Sequence, residues 1–130
     1  MARNDVRAAD PDGPAGIPVQ LTAIVIPADH DEPPRLLELD APDYRTYQQL
    51  VGGLIEFVDL PHGGTLCCND EGKLYGLPPN YRATCLLWAM RPEFINADFL
   101  VGDVVLLGQP DEDGETTSAP ELYVRLLSPP

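Results

Sequence analysis

The stretch VQLTAIVIPA, residues 19–28, is the strongest constraint on what this chain folds into. Its β-branched and aliphatic side chains run together, as in a strand buried on both faces. A chain of 130 residues is long enough for one such core, without disulfides or a metal to hold it. Upstream, residues 1–18 are rich in Ala, Asp, Pro and Gly and nearly devoid of large apolar side chains, so they do not repay the entropy of ordering. The expected organisation is therefore a flexible acidic leader over residues 1–18 and a single domain over residues 19–130.

Turn-formers divide that domain into short elements. After the DHDEPP turn, RLLELD (35–40) reads as the hairpin partner of the first strand. In APDYRTYQQLVGG, Tyr44, Tyr47, Leu50 and Val51 recur at near-helical spacing between Pro42 and the Gly52–Gly53 pair, which predicts an amphipathic helix. LIEFVDLP and TLCCN flank an HGG turn and predict a second hairpin. DEG then reads as a tight turn and KLYG as a short extended return, cut off by Pro78 and Pro79. Asn80 is placed to cap a helix over YRATCLLWAM that ends before Pro92, with a buried strand as the alternative for TCLLWAM. PEFINADFL reads as a further helical turn or two, and VGDVVLLGQP as a strand. In SAPELYVRLL, Ser118 and Glu121 stand at capping-box spacing with Pro120 in the first turn, predicting a C-terminal helix. No repeat is visible. These connections predict an α+β fold, a mostly antiparallel sheet of about four or five strands with two or three helices.

Charge narrows the partners. Twenty-one carboxylates against eight Lys plus Arg give a net charge of −13, which opposes direct binding to nucleic acid or to an anionic membrane surface. The surplus gathers in Asp5, Asp10 and Asp12, in Asp29, Asp31 and Glu32, and in Asp111, Glu112, Asp113 and Glu115. A solvated, repulsive surface is the plain explanation. The sharper one is a DNA mimic that inhibits a nucleic-acid-binding protein, although carboxylates in turns make a poor regular array.

The chemistry-bearing residues are few. Cys67, Cys68 and Cys85 cannot all pair within the chain, and vicinal cysteines seldom bond to each other, so reduced thiols in a cytoplasmic setting are expected. MARNDVRAADPDG lacks the apolar core of a signal peptide, and no stretch is long enough to span a bilayer. Cys67, Cys68, Cys85 and His62 are the one group resembling a metal site, but adjacent cysteines on a strand point to opposite faces and do not bite one ion. A small thiol enzyme using Cys67 or Cys68 would need His62 or His30 as base, and no local nucleophile signature accompanies them. The Gly pairs are turn punctuation and not a phosphate cradle. No catalytic residue, metal or cofactor is therefore assigned. The nine aromatic residues are spread along the elements, and most are expected in the core.

Three blocks, LVGGLIEFVDLP, CNDEGKLYGLPPN and FLVGDVVLLG, resemble the successive blocks of a small family from bacteriophages and mobile elements of Gram-positive hosts, the domain of unknown function 3846. They span roughly residues 21–108, and Asn69, Gly72, Leu77, Pro78, Pro79 and Asn80 match the family phrase. The acidic leader, the segment YRATCLLWAMRPEF and the C-terminal tail depart from the pattern. The resemblance implies a small soluble accessory protein of a mobile genome; it transfers no activity, cofactor or catalytic residue.

The family phrase is also where a partner surface is expected. Asn80 after two prolines suits a structural role, as a helix cap or a clamp on the neighbouring hairpin. Alternatively the loop is a proline-stiffened ridge that a host or phage protein reads, since an ordered loop loses less entropy on binding. The candidate partner-binding residues are Asn69, Tyr75, Leu77, Pro78, Pro79, Asn80 and Tyr81. The function expected is a non-enzymatic, acidic protein-interaction module that acts on a host machine or on defence against mobile elements. The oligomeric state is left open by the sequence.

Overall fold

The computed structural model describes residues 20–128. The expected leader over residues 1–18 and Val19 of the first predicted strand lie outside the described residues. The chain forms β1 (Gln20–Ile26), β2 (Arg35–Asp40), α1 (Tyr44–Val51), β3 (Ile55–Leu60), β4 (Gly64–Asn69), α2 (Tyr81–Met90), β5 (Val104–Gly108) and α3 (Glu121–Leu127). A single 3-10 turn, Pro92–Phe94, follows α2. All strand pairs are antiparallel, in the order β2-β1-β5-β4-β3. The α+β class expected from the sequence is the class observed, with five strands and three helices among the described residues.

Strand order explains the unpatterned run in β1. The strand lies inside the sheet between β2 and β5, so both of its faces meet other side chains. On one face, Ile24, Ile26, Leu66, Cys68, Val104 and Leu106 pack with Leu87 of α2 and Tyr123 of α3. On the other, Leu21, Ala23, Val25, Cys67, Val105 and Leu107 pack with Tyr47 and Val51 of α1. The sheet is the middle layer of three. The period-2 alternation of strand side chains sends Cys67 and Cys68 into opposite cores, as the sequence indicated. The edge strands β2 and β3 carry the polar alternation and stay half exposed.

Local signals place the helices. Asp43 caps α1 and exchanges hydrogen bonds with Thr46, and Gly52 closes the helix at φ 84°. The β3–β4 hairpin turns through His62 and Gly63, both at positive φ. Asn80 caps α2, which settles the TCLLWAM segment as helix.

Three expectations are corrected. KLYG is not an extended return: residues 70–76 form consecutive turns, with Tyr75 N–H donating to the Glu71 carbonyl at 3.1 Å. Gly76, at φ 70°, lets the chain coil where the apolar pair suggested a strand. Ser118 does not cap the C-terminal helix, which begins at Glu121 after Pro120. Instead its hydroxyl accepts from Thr22 N–H at 2.9 Å, tying the chain to the start of β1. The aromatic residues are mostly not core. Only Tyr47 and Tyr123 are buried, while Tyr44, Phe57, Tyr75, Tyr81 and Phe99 are exposed and Trp88 and Phe94 half-buried. Both cores are built mainly of aliphatic side chains, with Tyr123 in one and Tyr47 in the other.

Candidate functional site: a braced loop beside an apolar helix

The loop between β4 and α2 is built on two buried asparagines. Asn69, at the end of β4, donates from Nδ2 to the Val51 carbonyl at 3.1 Å and accepts Glu71 N–H on Oδ1 at 2.8 Å. It thereby joins the end of α1 to the first turn of the loop. Asn80 is fully buried. Its Nδ2 donates to the carbonyls of Ile26 at 2.8 Å and Gly102 at 2.9 Å, its Oδ1 accepts Ala83 N–H, and its own N–H donates to Leu100. Every polar atom of the side chain is used. Both residues therefore hold the loop and are not accessible to a partner, which corrects their assignment as partner-contacting residues.

The remaining predicted residues separate into two places. Leu77 is half-buried and pins the loop: a Cβ on Gly102 would lie 2.8 Å from its Cδ1 and one on Gly72 3.2 Å away. Gly102 also sits at φ +74°. Pro78 and Pro79 are exposed and run beside residues 100–102, through Gly102 N–H to the Pro78 carbonyl at 2.7 Å and a bridge between Pro79 and Val101. Tyr75 stands 69% exposed at the loop tip, next to Leu74 at 77%. Leu74 was missed by sequence reasoning, because an apolar residue expected in a short strand gives no sign of facing water. Asp70 and Glu71 begin the same loop.

Tyr81 belongs to the second place, the outer side of α2. It is 63% exposed and, with Cys85, forms a ridge between two apolar depressions. One, of about 630 Å³, is walled by Pro79, Trp88 and Phe99. The other, of about 590 Å³, lies between α2 and α3 and is walled by Ala89, Met90, Leu126 and Leu127. The wall around Phe99 is cross-tied: Lys73 Nζ pairs with Asp98 and lies 4.4 Å from the Phe99 ring centroid, and Trp88 Nε1–H donates to the Asp98 carbonyl at 2.7 Å.

Thiol chemistry finds little support in this arrangement. Burial pushes both the Cys67 and Cys68 thiols up to about 12, so thiolate, the nucleophilic form, is scarce near neutrality. Cys85 is free and exposed. Among the described residues, no three His, Cys, Asp or Glu side chains are grouped to hold a metal ion, and no helix is long and apolar enough to cross a membrane.

A five-stranded antiparallel sheet with a helix on one face, two on the other and an asparagine-braced loop at its rim defines a small α+β domain. The chain belongs to the family described as a domain of unknown function, DUF3846, whose profile matches residues 21–128. The match runs through α2 and α3, beyond the three blocks that carried the resemblance. No curated protein and no solved structure matches the chain.

Proposed function

We propose that the protein is an interaction module that presents the tip of the β4–α2 loop to a partner protein. The observation that carries this is the exposure of Leu74 and Tyr75 on a loop whose two ends are fixed by the buried side chains of Asn69 and Asn80. Large apolar side chains held out in water cost solvation, and holding them in place beforehand reduces the entropy lost on docking. The partner surface that fits is an apolar socket for Leu74, Tyr75 and Pro78, with basic groups at its rim facing Asp70 and Glu71. The aromatic Tyr75 is the expected hot spot.

The setting proposed is a phage or mobile element, with the partner a host or phage protein and the effect a modulation of a host machine or defence system. That setting rests on the sequence blocks alone. The test is capture of partners by the tagged protein at low and high salt, beside a Leu74→Ala/Tyr75→Ala variant that alters no buried group. A partner retained at high salt and lost in the variant supports the proposal. A partner lost with salt but indifferent to the variant favours acidic mimicry of DNA, because exposed charges are screened.

A further inference from the structure

We infer that Lys73 holds the Leu74–Tyr75 tip in its docking pose through its charge, and that acylation of its amine releases the tip. The inference rests on the docking reading above and adds the regulation of that site.

Position in the chain is the first observation. Lys73 is the one lysine of the sequence, so an acyl group carried to the side-chain amines of this chain has a single destination. Its carbonyl accepts Gly76 N–H at 3.2 Å, which makes Lys73 the first residue of the turn whose two central residues are Leu74 and Tyr75. Where Lys73 is anchored, the turn is aimed.

Anchorage is the second. Lys73 Nζ pairs with Asp98 and lies 4.4 Å from the Phe99 ring centroid. The receiving carboxylate is itself set in place: its Oδ1 accepts Phe99 N–H at 2.9 Å, and the Asp98 carbonyl accepts Trp88 Nε1–H from α2 at 2.7 Å. Both attractions at Nζ need the positive charge. The other hydrogen bonds of residues 73–76, from Tyr75 N–H to Glu71 and from Gly76 N–H to Lys73, stay inside the loop. A Cβ on Gly76 would meet nothing within 4 Å. Among the described residues, the hydrogen bond that ties the tip to the body of the domain, between the braces at Asn69 and Asn80, is therefore that of Lys73.

Such a tie suits a switch better than a support. An exposed ion pair adds little to global stability, so its loss leaves the fold intact. Local order of the tip is a separate quantity. A partner that binds only the held tip has its affinity scaled by the fraction of molecules in which the tip is held. The Lys73 side chain is 49% exposed, open to a thioester acyl donor. In that reaction the ammonium gives up its proton and the freed amine attacks the acyl carbon. The N–C bond forms as the C–S bond breaks, and the departing thiolate takes up the proton. The amide product carries no charge, so the ion pair and the cation–π contact are both lost.

The test uses the full chain as wild type, Lys73→Gln, Asp98→Asn and Lys73→Arg. Hydrogen exchange at Tyr75 and Gly76 should be roughly fivefold faster in Lys73→Gln and Asp98→Asn, the scale of an exposed pair backed by a ring, with thermal unfolding unchanged. Lys73→Arg keeps the charge and should exchange like wild type. The partner captured above should bind Lys73→Gln and Asp98→Asn roughly fivefold more weakly, and Lys73→Arg as it binds wild type. Treatment with N-acetoxysuccinimide should give wild type the behaviour of Lys73→Gln and change nothing in Lys73→Arg. Equal exchange at Tyr75 and Gly76 in wild type and Lys73→Gln overturns the inference, with or without a partner in hand. So does weaker binding of Lys73→Gln with unchanged exchange, which makes Lys73 a contact of the partner, or faster exchange with unchanged affinity. An affinity indifferent to Leu74→Ala/Tyr75→Ala is the separate failure of the docking reading; it removes the regulation and leaves the clasp to the exchange result.

Discussion

The side-chain amide of Asn80 donates to the carbonyl of Ile26 at 2.8 Å, joining the first residue before α2 to the last residue of β1 across 54 positions of chain. One residue thus caps a helix, satisfies the end of a central strand and fixes where the loop re-enters the fold.

Asn80→Ala should cost about 3 kcal/mol, more than loss of a helix cap alone, because the Ile26 and Gly102 carbonyls also lose a donor. Asn80→Asp keeps the cap acceptor but loses both donations, so it should not rescue. Urea unfolding of the three proteins measures this; a cost near that of a simple surface cap would show that water replaces the amide.

Tyr47 predicts the opposite sign. Its hydroxyl is buried without a hydrogen-bond partner, with Thr116 nearby but not in bonding geometry, and burial pushes its pKa up to about 12. Tyr47→Phe should leave stability unchanged or raise it by up to about 1 kcal/mol, since no bond is lost and an unsatisfied polar group is removed. A marked fall in thermal stability would mean the hydroxyl is bonded to Thr116 in solution.

Gly52 and Gly102 share a positive φ but differ in surroundings. A Cβ on Gly52 meets nothing within 4 Å, whereas one on Gly102 lies 2.8 Å from Leu77 Cδ1. Gly52→Ala should cost about 1 kcal/mol for the left-handed backbone. Gly102→Ala should cost about 1–3 kcal/mol more by displacing Leu77. Hydrogen exchange at Tyr75 and Gly76 should quicken only in Gly102→Ala; equal effects would show that Leu77 does not pin the loop.

Much of this was legible in the sequence, and the failures share a cause. The unalternated run in β1, the Pro42 to Gly52–Gly53 frame of α1 and the HGG turn are local signals whose physics acts within a few residues. Ser118, Leu74 and the aromatic side chains depend on distant neighbours. A serine three residues before a glutamate meets the capping-box pattern, yet its hydroxyl is taken by Thr22, 96 positions away. At the site, the braced loop and its Leu-Pro-Pro-Asn phrase were visible. Which side chains hold it and which face water follows only from where Val51, Ile26 and Gly102 lie in space.

The thiols give a pH prediction. Burial makes Cys67 and Cys68 hold their protons to about 12 in the folded chain, above the ordinary thiol value of about 9. The unfolded chain releases those protons first, so it binds fewer as pH rises. The stability contributed is complete below the unfolded pKa and falls progressively between about 9 and about 12. Urea midpoints should decline over that window, and less steeply in a Cys67→Ala/Cys68→Ala variant. With a thiol reagent at neutral pH, Cys85 should react alone until the protein unfolds; rapid reaction of Cys67 or Cys68 in the folded chain would support a thiol enzyme.

The most direct test of the loop as a docking site is the binding isotherm of the captured partner, purified, against the wild type and Leu74→Ala/Tyr75→Ala at low and high salt. The predicted result is a loss of about thirtyfold or more in the variant, the scale of a hot spot of about 2 kcal/mol, with little change on adding salt. Equal affinities for the two proteins, falling together as salt rises, would contradict it and move the binding to the acidic surface.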